Sequence, residues 1–134
     1  MRRTTLLIVS LVAAVFTLAC APPTSPLGVV GTYALQSVNG MPLPYLLQDA
    51  GATKVHVLDD LIILTSSSSF SEMGHKTLTT GSMVSLQVPI DAGTFERRGN
   101  TITLESLLFG RWTGSIRGST LTMVQQGFTL VYQK

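Results

Sequence analysis

The sequence predicts an all-β domain, an antiparallel up-and-down meander of about eight to ten short strands closing into a small barrel. Three observations predict it. Apolar and polar residues alternate with period two in one segment after another. Turn signals such as Asn39-Gly40, Arg98-Gly99-Asn100 and Arg117-Gly118-Ser119 separate these segments. After residue 30 no stretch of ordinary helix length carries a 3.6-residue period. A closed barrel is favoured over a sandwich because closure leaves no exposed edges.

The first strand is Gly31 to Val38, with Tyr33 and Leu35 on one face and Thr32, Ala34 and Gln36 on the other. Asn39-Gly40 turns it. Met41 to Leu47 holds two prolines, which excludes a central strand and fits a lid or a short helical turn across one barrel end. Residues 48–53 read as loop. Lys54 to Leu58 alternates, Asp59-Asp60 reads as a turn, and Leu61 to Thr65 is the most apolar strand. Ser66 to Ser69 suits a hairpin loop, and Phe70 to Met73 begins the next strand. Gly74 to Thr80 reads as an exposed loop or frayed hairpin, and Met83 to Val88 as a strand ended by Pro89. Four better-marked strands follow, burying Phe95, then Ile102 and Leu104, then Trp112 and Ile116, then Leu121 and Met123. A final strand buries Phe128, Leu130 and Tyr132.

The N-terminus reads differently. Met1-Arg2-Arg3 is a positive start, and Leu6 to Ala19 is an apolar run interrupted only by Ser10 and Thr17. That length suits the hydrophobic region of a signal peptide and is short for a bilayer-spanning helix. The run ends at Thr17-Leu18-Ala19-Cys20, which resembles a bacterial lipobox. Cys20 is the only cysteine and is followed by Pro22, Pro23 and Pro26. The expected organisation is therefore a lipoprotein signal peptide over 1–19, a lipidated Cys20 with a Pro-rich tether over 20–29, and the barrel over 30–134. An ordinary secretory peptide and an uncleaved anchor are the competing readings of the same segment. The resemblance implies two or three acyl chains on Cys20, enough for stable attachment where one would be marginal. The expected location is the cell envelope, exported and anchored to a bacterial membrane, the outer membrane where the organism has one.

Composition excludes several functions. The isoelectric point of 9.0 invites a nucleic-acid partner. Two of the nine basic residues, Arg2 and Arg3, belong to the segment to be removed, and the other seven balance seven acids and are scattered. No basic cluster remains to contact nucleic acid. A single cysteine allows neither an intramolecular disulfide nor a thiolate metal cluster.

With the elements placed, residues 30 to 134 resemble the small lipocalin-like, calycin-type barrels of bacterial lipoproteins. The resemblance rests on Val30-Gly31-Thr32-Tyr33-Ala34-Leu35 and Val38-Asn39-Gly40-Met41-Pro42-Leu43-Pro44. It continues through Gly93-Thr94-Phe95, Asn100-Thr101-Ile102-Thr103-Leu104, Gly118-Ser119-Thr120-Leu121-Thr122 and the terminal Val131-Tyr132-Gln133-Lys134. Tyr33 stands where lipocalins carry Trp. The downstream Thr-Asp-Tyr signature is missing, and no late Arg matches the one that packs on that Trp.

No catalytic constellation is assembled, so the chain is read as a non-enzyme. His56 sits mid-strand between valines. Glu72 and His75 lie three residues apart, a spacing that Gly74 and the strand context make unsuitable for a metal, and no second ligand pair follows. The serines lack a nucleophile elbow. Asp59-Asp60 reads as a hairpin tip and Arg97-Arg98 as a charged turn. Neither a cofactor nor a metal is expected. Tyr33, Phe95, Trp112, Met123, Phe128 and Tyr132 recur on inward faces as candidate ligand-binding residues, although a filled or nearly filled core is the favoured reading of the same positions. The leading expectation is a binding barrel for a small hydrophobic or amphipathic ligand. The alternative is a protein-interaction or inhibitor module for an envelope protein, using a patch formed by Pro42 to Leu47 or Leu107 to Phe109.

Cys20→Ser is expected to abolish metabolic labelling with a fatty acid and the mass shift caused by a signal-peptidase-II inhibitor. Labelling that survives the substitution refutes the lipobox.

Overall fold

A computed structural model describes residues 28–134; the signal segment, Cys20 and most of the tether lie outside the described residues. The described residues form eleven strands: β1 (Gly31–Val38), β2 (Met41–Pro42), β3 (Tyr45–Ala50), β4 (Thr53–Leu64), β5 (Ser69–Thr80), β6 (Met83–Gln87), β7 (Ile90–Arg98), β8 (Thr101–Ser106), β9 (Gly110–Arg117), β10 (Thr120–Gln125) and β11 (Phe128–Gln133). All pairings are antiparallel. Eight strands close into a barrel in the order β1-β11-β10-β9-β8-β7-β5-β4, and β4 returns to β1 with Gly31 opposite Leu64 and Ala34 opposite Leu61. The tight turns were legible in the sequence. Asn39 and Gly40 have φ of 51° and 77°, the positive values a type I′ hairpin requires.

Three segments differ from the sequence expectation. Asp59-Asp60 is no turn, because β4 runs unbroken from Thr53 to Leu64 and pairs with β5 throughout. Gly74 to Thr80 is neither loop nor fray but the second half of β5, paired with β4 throughout and with β6 over residues 76–80. Ladder pairing on both sides stabilises this polar tract, whose threonines suit a pleated surface. Residues 45–50 form β3, an edge strand against β4, rather than a lid or helical turn followed by loop. Pro42 and Pro44 are tolerated because they fall at the edge.

Both β4 and β5 are longer than the barrel wall needs. Only residues 61–64 of β4 pair with β1, and only residues 69–73 of β5 pair with β7. Their remaining halves continue as a four-stranded wing, β3-β4-β5-β6, at one barrel mouth.

A bulge in β4 between Val57 and Asp59 reverses the side-chain parity of that strand. Val57 and, after the bulge, Asp60, Ile62 and Leu64 therefore all face inward. A second irregularity in β1 lets both Leu35 and Val38 face the interior.

The closed end of the barrel is packed with Tyr33, Leu35, Ile62, Leu64, Phe70, Phe95, Ile102, Leu104, Ile116, Leu121 and Tyr132. Val29, assigned to the tether by the sequence reading, belongs to this core, and its carbonyl accepts a 2.7 Å hydrogen bond from the Tyr33 hydroxyl. The Lys134 ammonium stands 6.0 Å from the centre of the Tyr33 ring, so a terminal lysine supplies the cation over this aromatic.

Two interior glycines make room for large neighbours. A Cβ on Gly93 would lie 1.9 Å from the Glu105 carbonyl oxygen and 2.8 Å from the Phe70 ring; one on Gly114 would lie 2.1 Å from the Thr122 carbonyl oxygen. Gly93→Ala is expected to destabilise the barrel by about 2 kcal/mol, lowering the melting temperature by roughly 10 °C in a thermal unfolding experiment.

Candidate functional site

The core does not fill the barrel. At the mouth beside the wing a cavity of about 400 Å³ opens between β1, β3, β4, β5, β7, β10 and β11. Its wall is apolar, built from Val38, Leu47, Val57, Phe109, Phe128 and Leu130, with Pro89 and Ile90 at the β6–β7 junction. Gln48, Gln125, Gln126 and Lys76 are its polar lining above a floor of three carboxyl groups, Asp60, Glu72 and Asp91.

Strand register brings these carboxyls together. Glu72 on β5 lies directly opposite Asp91 on β7 and opposite Ile62 on β4, one inward position from Asp60. Asp60 itself lies opposite Gly74, where a Cβ would approach its Oδ1 to 2.8 Å, so that glycine leaves space for the carboxyl. The Tyr132 hydroxyl reaches up from the core and donates a 2.7 Å hydrogen bond to Asp60 Oδ2. Asp91 is 4% exposed; its Oδ1 accepts the Ala92 N–H at 2.8 Å, while its Oδ2 has no partner among the described residues. Glu72 Oε2 is likewise buried without a partner among them.

This crowding shifts protonation. Burial, then the charge and hydrogen bond of Asp60, and then the charge of Asp91 push the Glu72 carboxyl up to about 9, with Lys76 opposing weakly. Burial also raises Asp60, against the Tyr132 and Glu72 hydrogen bonds that lower it. Burial and the neighbouring Asp60 raise the Tyr132 phenol well above its ordinary value. At neutral pH Glu72 is thus a neutral acid that shares its proton with Asp60.

The residues singled out from the sequence are distributed unevenly around this site. Phe128 lines the cavity, and Tyr132 holds its floor through Asp60. Tyr33, Phe95, Trp112 and Met123 are buried in the core, with Trp112 6.2 Å from the ring of Phe109 at the mouth. The Trp112 indole nitrogen is buried without a partner among the described residues. Cys20 lies outside the described residues. His75 and Glu72 point to opposite faces of β5, and His75 Nδ1 meets Asp59 Oδ1 outside the barrel at 2.6 Å. Among the described residues no group of three or more His, Cys, Asp or Glu side chains is arranged to hold a metal ion.

The sequence reading missed Asp60, Glu72 and Asp91 as site residues. The available signal was parity: Glu72 is two residues from Phe70, and Asp91 is four from Phe95, so both share the inward face of a strand. Compared with known proteins, the chain matches no family model, no curated protein and no solved structure.

The raised Glu72 carboxyl carries a stability consequence. It ionises near 4.5 when free of the fold and near 9 within it. Between those values the folded chain binds more protons than the unfolded one, so stability falls as pH rises through this window. Glu72→Gln is expected to remove that loss. Urea unfolding at about pH 5, 7 and 8.5 should show the variant gaining on the parent by up to about 1.4 kcal/mol per pH unit. A gap that does not widen with pH contradicts the assignment.

Proposed function

We propose that the protein is a non-enzymatic binding barrel for a small amphipathic ligand, held at the cell envelope through a lipid on Cys20. The cavity carries this reading: its apolar wall leads from the mouth to a polar, partly unsatisfied floor, and its size suits one short alkyl chain with a head group. Burying five or six methylenes would contribute about 4–5 kcal/mol before the cost of association. The closed eight-stranded barrel is compatible with a lipocalin-like domain, and the envelope location rests on the N-terminal sequence alone.

A second reading has its own observation. Leu107, Leu108 and Phe109, at the tip of the β8–β9 hairpin, are all exposed, Leu107 by 80%. Such a tip fits a protein-interaction or inhibitor role for an envelope partner.

Native mass spectrometry of the chain purified from cells exporting it tests the first reading. The expected result is a one-to-one adduct that leaves on denaturation and is lost in Leu130→Phe, which fills the wall without touching the floor. An adduct retained in Leu130→Phe, or no adduct and no alkyl ligand bound on titration, shifts the case to the hairpin tip.

A further inference from the structure

We infer that the cavity selects an amphiphile with a primary ammonium head, seated between Glu72 Oε2 and Asp91 Oδ2 with its alkyl chain along the wall of Val38, Leu47, Phe128 and Leu130. This inference rests on the ligand-binding reading above and gives the ligand its chemical class. The floor supplies acceptors: two buried carboxyl oxygens on directly opposed residues lack any donor among the described residues. A buried acceptor left without a donor is costly, and the group that relieves two at once carries several N–H donors and positive charge. A carboxylate head would add an acceptor to a place already short of donors. A hydroxyl head supplies one donor for two acceptors.

The groups facing Glu72 are Asp60 from β4, Asp91 from β7, Lys76 from its own strand and, through Asp60, Tyr132 from β11. Lys76 lines the same cavity but makes no ion pair with any of the three carboxyls among the described residues. It lies two inward positions from Glu72 along β5, opposite Val57 in the wing. An ammonium arriving at Glu72 Oε2 favours the ionised form of Glu72, whose proton, held between Glu72 and Asp60, leaves to solvent. Charge is conserved at the floor: one positive charge enters as one proton departs.

The test is calorimetric titration of the full chain with n-octylammonium, n-octanol and octanoate, with fluorescence of the single tryptophan, Trp112, as a second readout. The ammonium is expected to bind at least about tenfold more tightly than the alcohol, and octanoate most weakly. Glu72→Gln and Asp91→Asn keep the shape of the floor. Each is expected to lower octylammonium affinity about tenfold or more, and octanol affinity by a smaller factor. Octylammonium affinity should also rise between about pH 6 and 8.5, by at most about tenfold per unit, as the proton to be displaced is held less firmly. Equal binding of alcohol and ammonium, insensitivity to both substitutions, or a flat pH profile overturns the ammonium assignment and leaves the amphiphile reading standing. If none of the three compounds binds, both fall together.

Discussion

Closure of the barrel by the β1–β4 ladder is the constraint from which the other features follow. Gly31 to Ala34 pair with Leu61 to Leu64 on one side while Ala34 to Val38 pair with β11 on the other. Once the ring is closed, every strand has one face inside, and the side-chain period of two decides what the interior contains. In the closed half that content is apolar and dense. Towards the mouth the same parity delivers Asp60, Glu72 and Asp91 to neighbouring inward positions, because the bulge after Val57 shifts β4 by one residue. Were the strand regular through Leu58, with no bulge, the face of β4 carrying Val57 would also carry Asp59, and Asp60 would turn out to solvent.

The carboxyl floor is unfavourable for the fold and informative for that reason. A structural core gains nothing from three acids beneath an apolar wall, and burial of each charged form is costly. Tyr132 and the shared proton relieve part of that cost at Asp60 and Glu72, and Gly74 gives the Asp60 side chain its room. Asp91 is satisfied on one oxygen only. Buried, mutually perturbed titratable groups at the end of a cleft are a recurrent mark of sites that meet a ligand.

Much of the architecture could be read from the residues. The alternation in Gly31 to Val38 and from Phe95 to Tyr132, with Asn39-Gly40 and Gly118 at turns, specified an antiparallel barrel, because those strands carry one buried and one solvated face. The long β4–β5 ribbon was harder. Its polar stretches carry turn-like composition: Asp59-Asp60 is strand through its pairing with β5, and Lys76 to Thr80 through partners on both sides. The same misreading hid the site. An acid assigned to a hairpin tip is assumed to be solvated, whereas Asp60 in mid-strand, one inward step from Ile62, is placed inside. The aromatic residues were easier to notice, and most of them serve packing rather than the cavity wall.

The N- and C-terminal strands of the barrel meet through bonds that span most of the chain. Asn39 exchanges hydrogen bonds with Thr129, 90 residues away, and Lys134 donates to the Val30 carbonyl across 104 residues. The hairpins between them are local and can form early, but this seam has to wait for the last strand. Until β11 docks, β1 and β10 are open edges, and the cavity lacks the wall supplied by Phe128 and Leu130. The pocket is thus complete only with the last strand in place, and a chain interrupted before Phe128 would keep its hairpins and carboxyl floor yet lack one side of the wall.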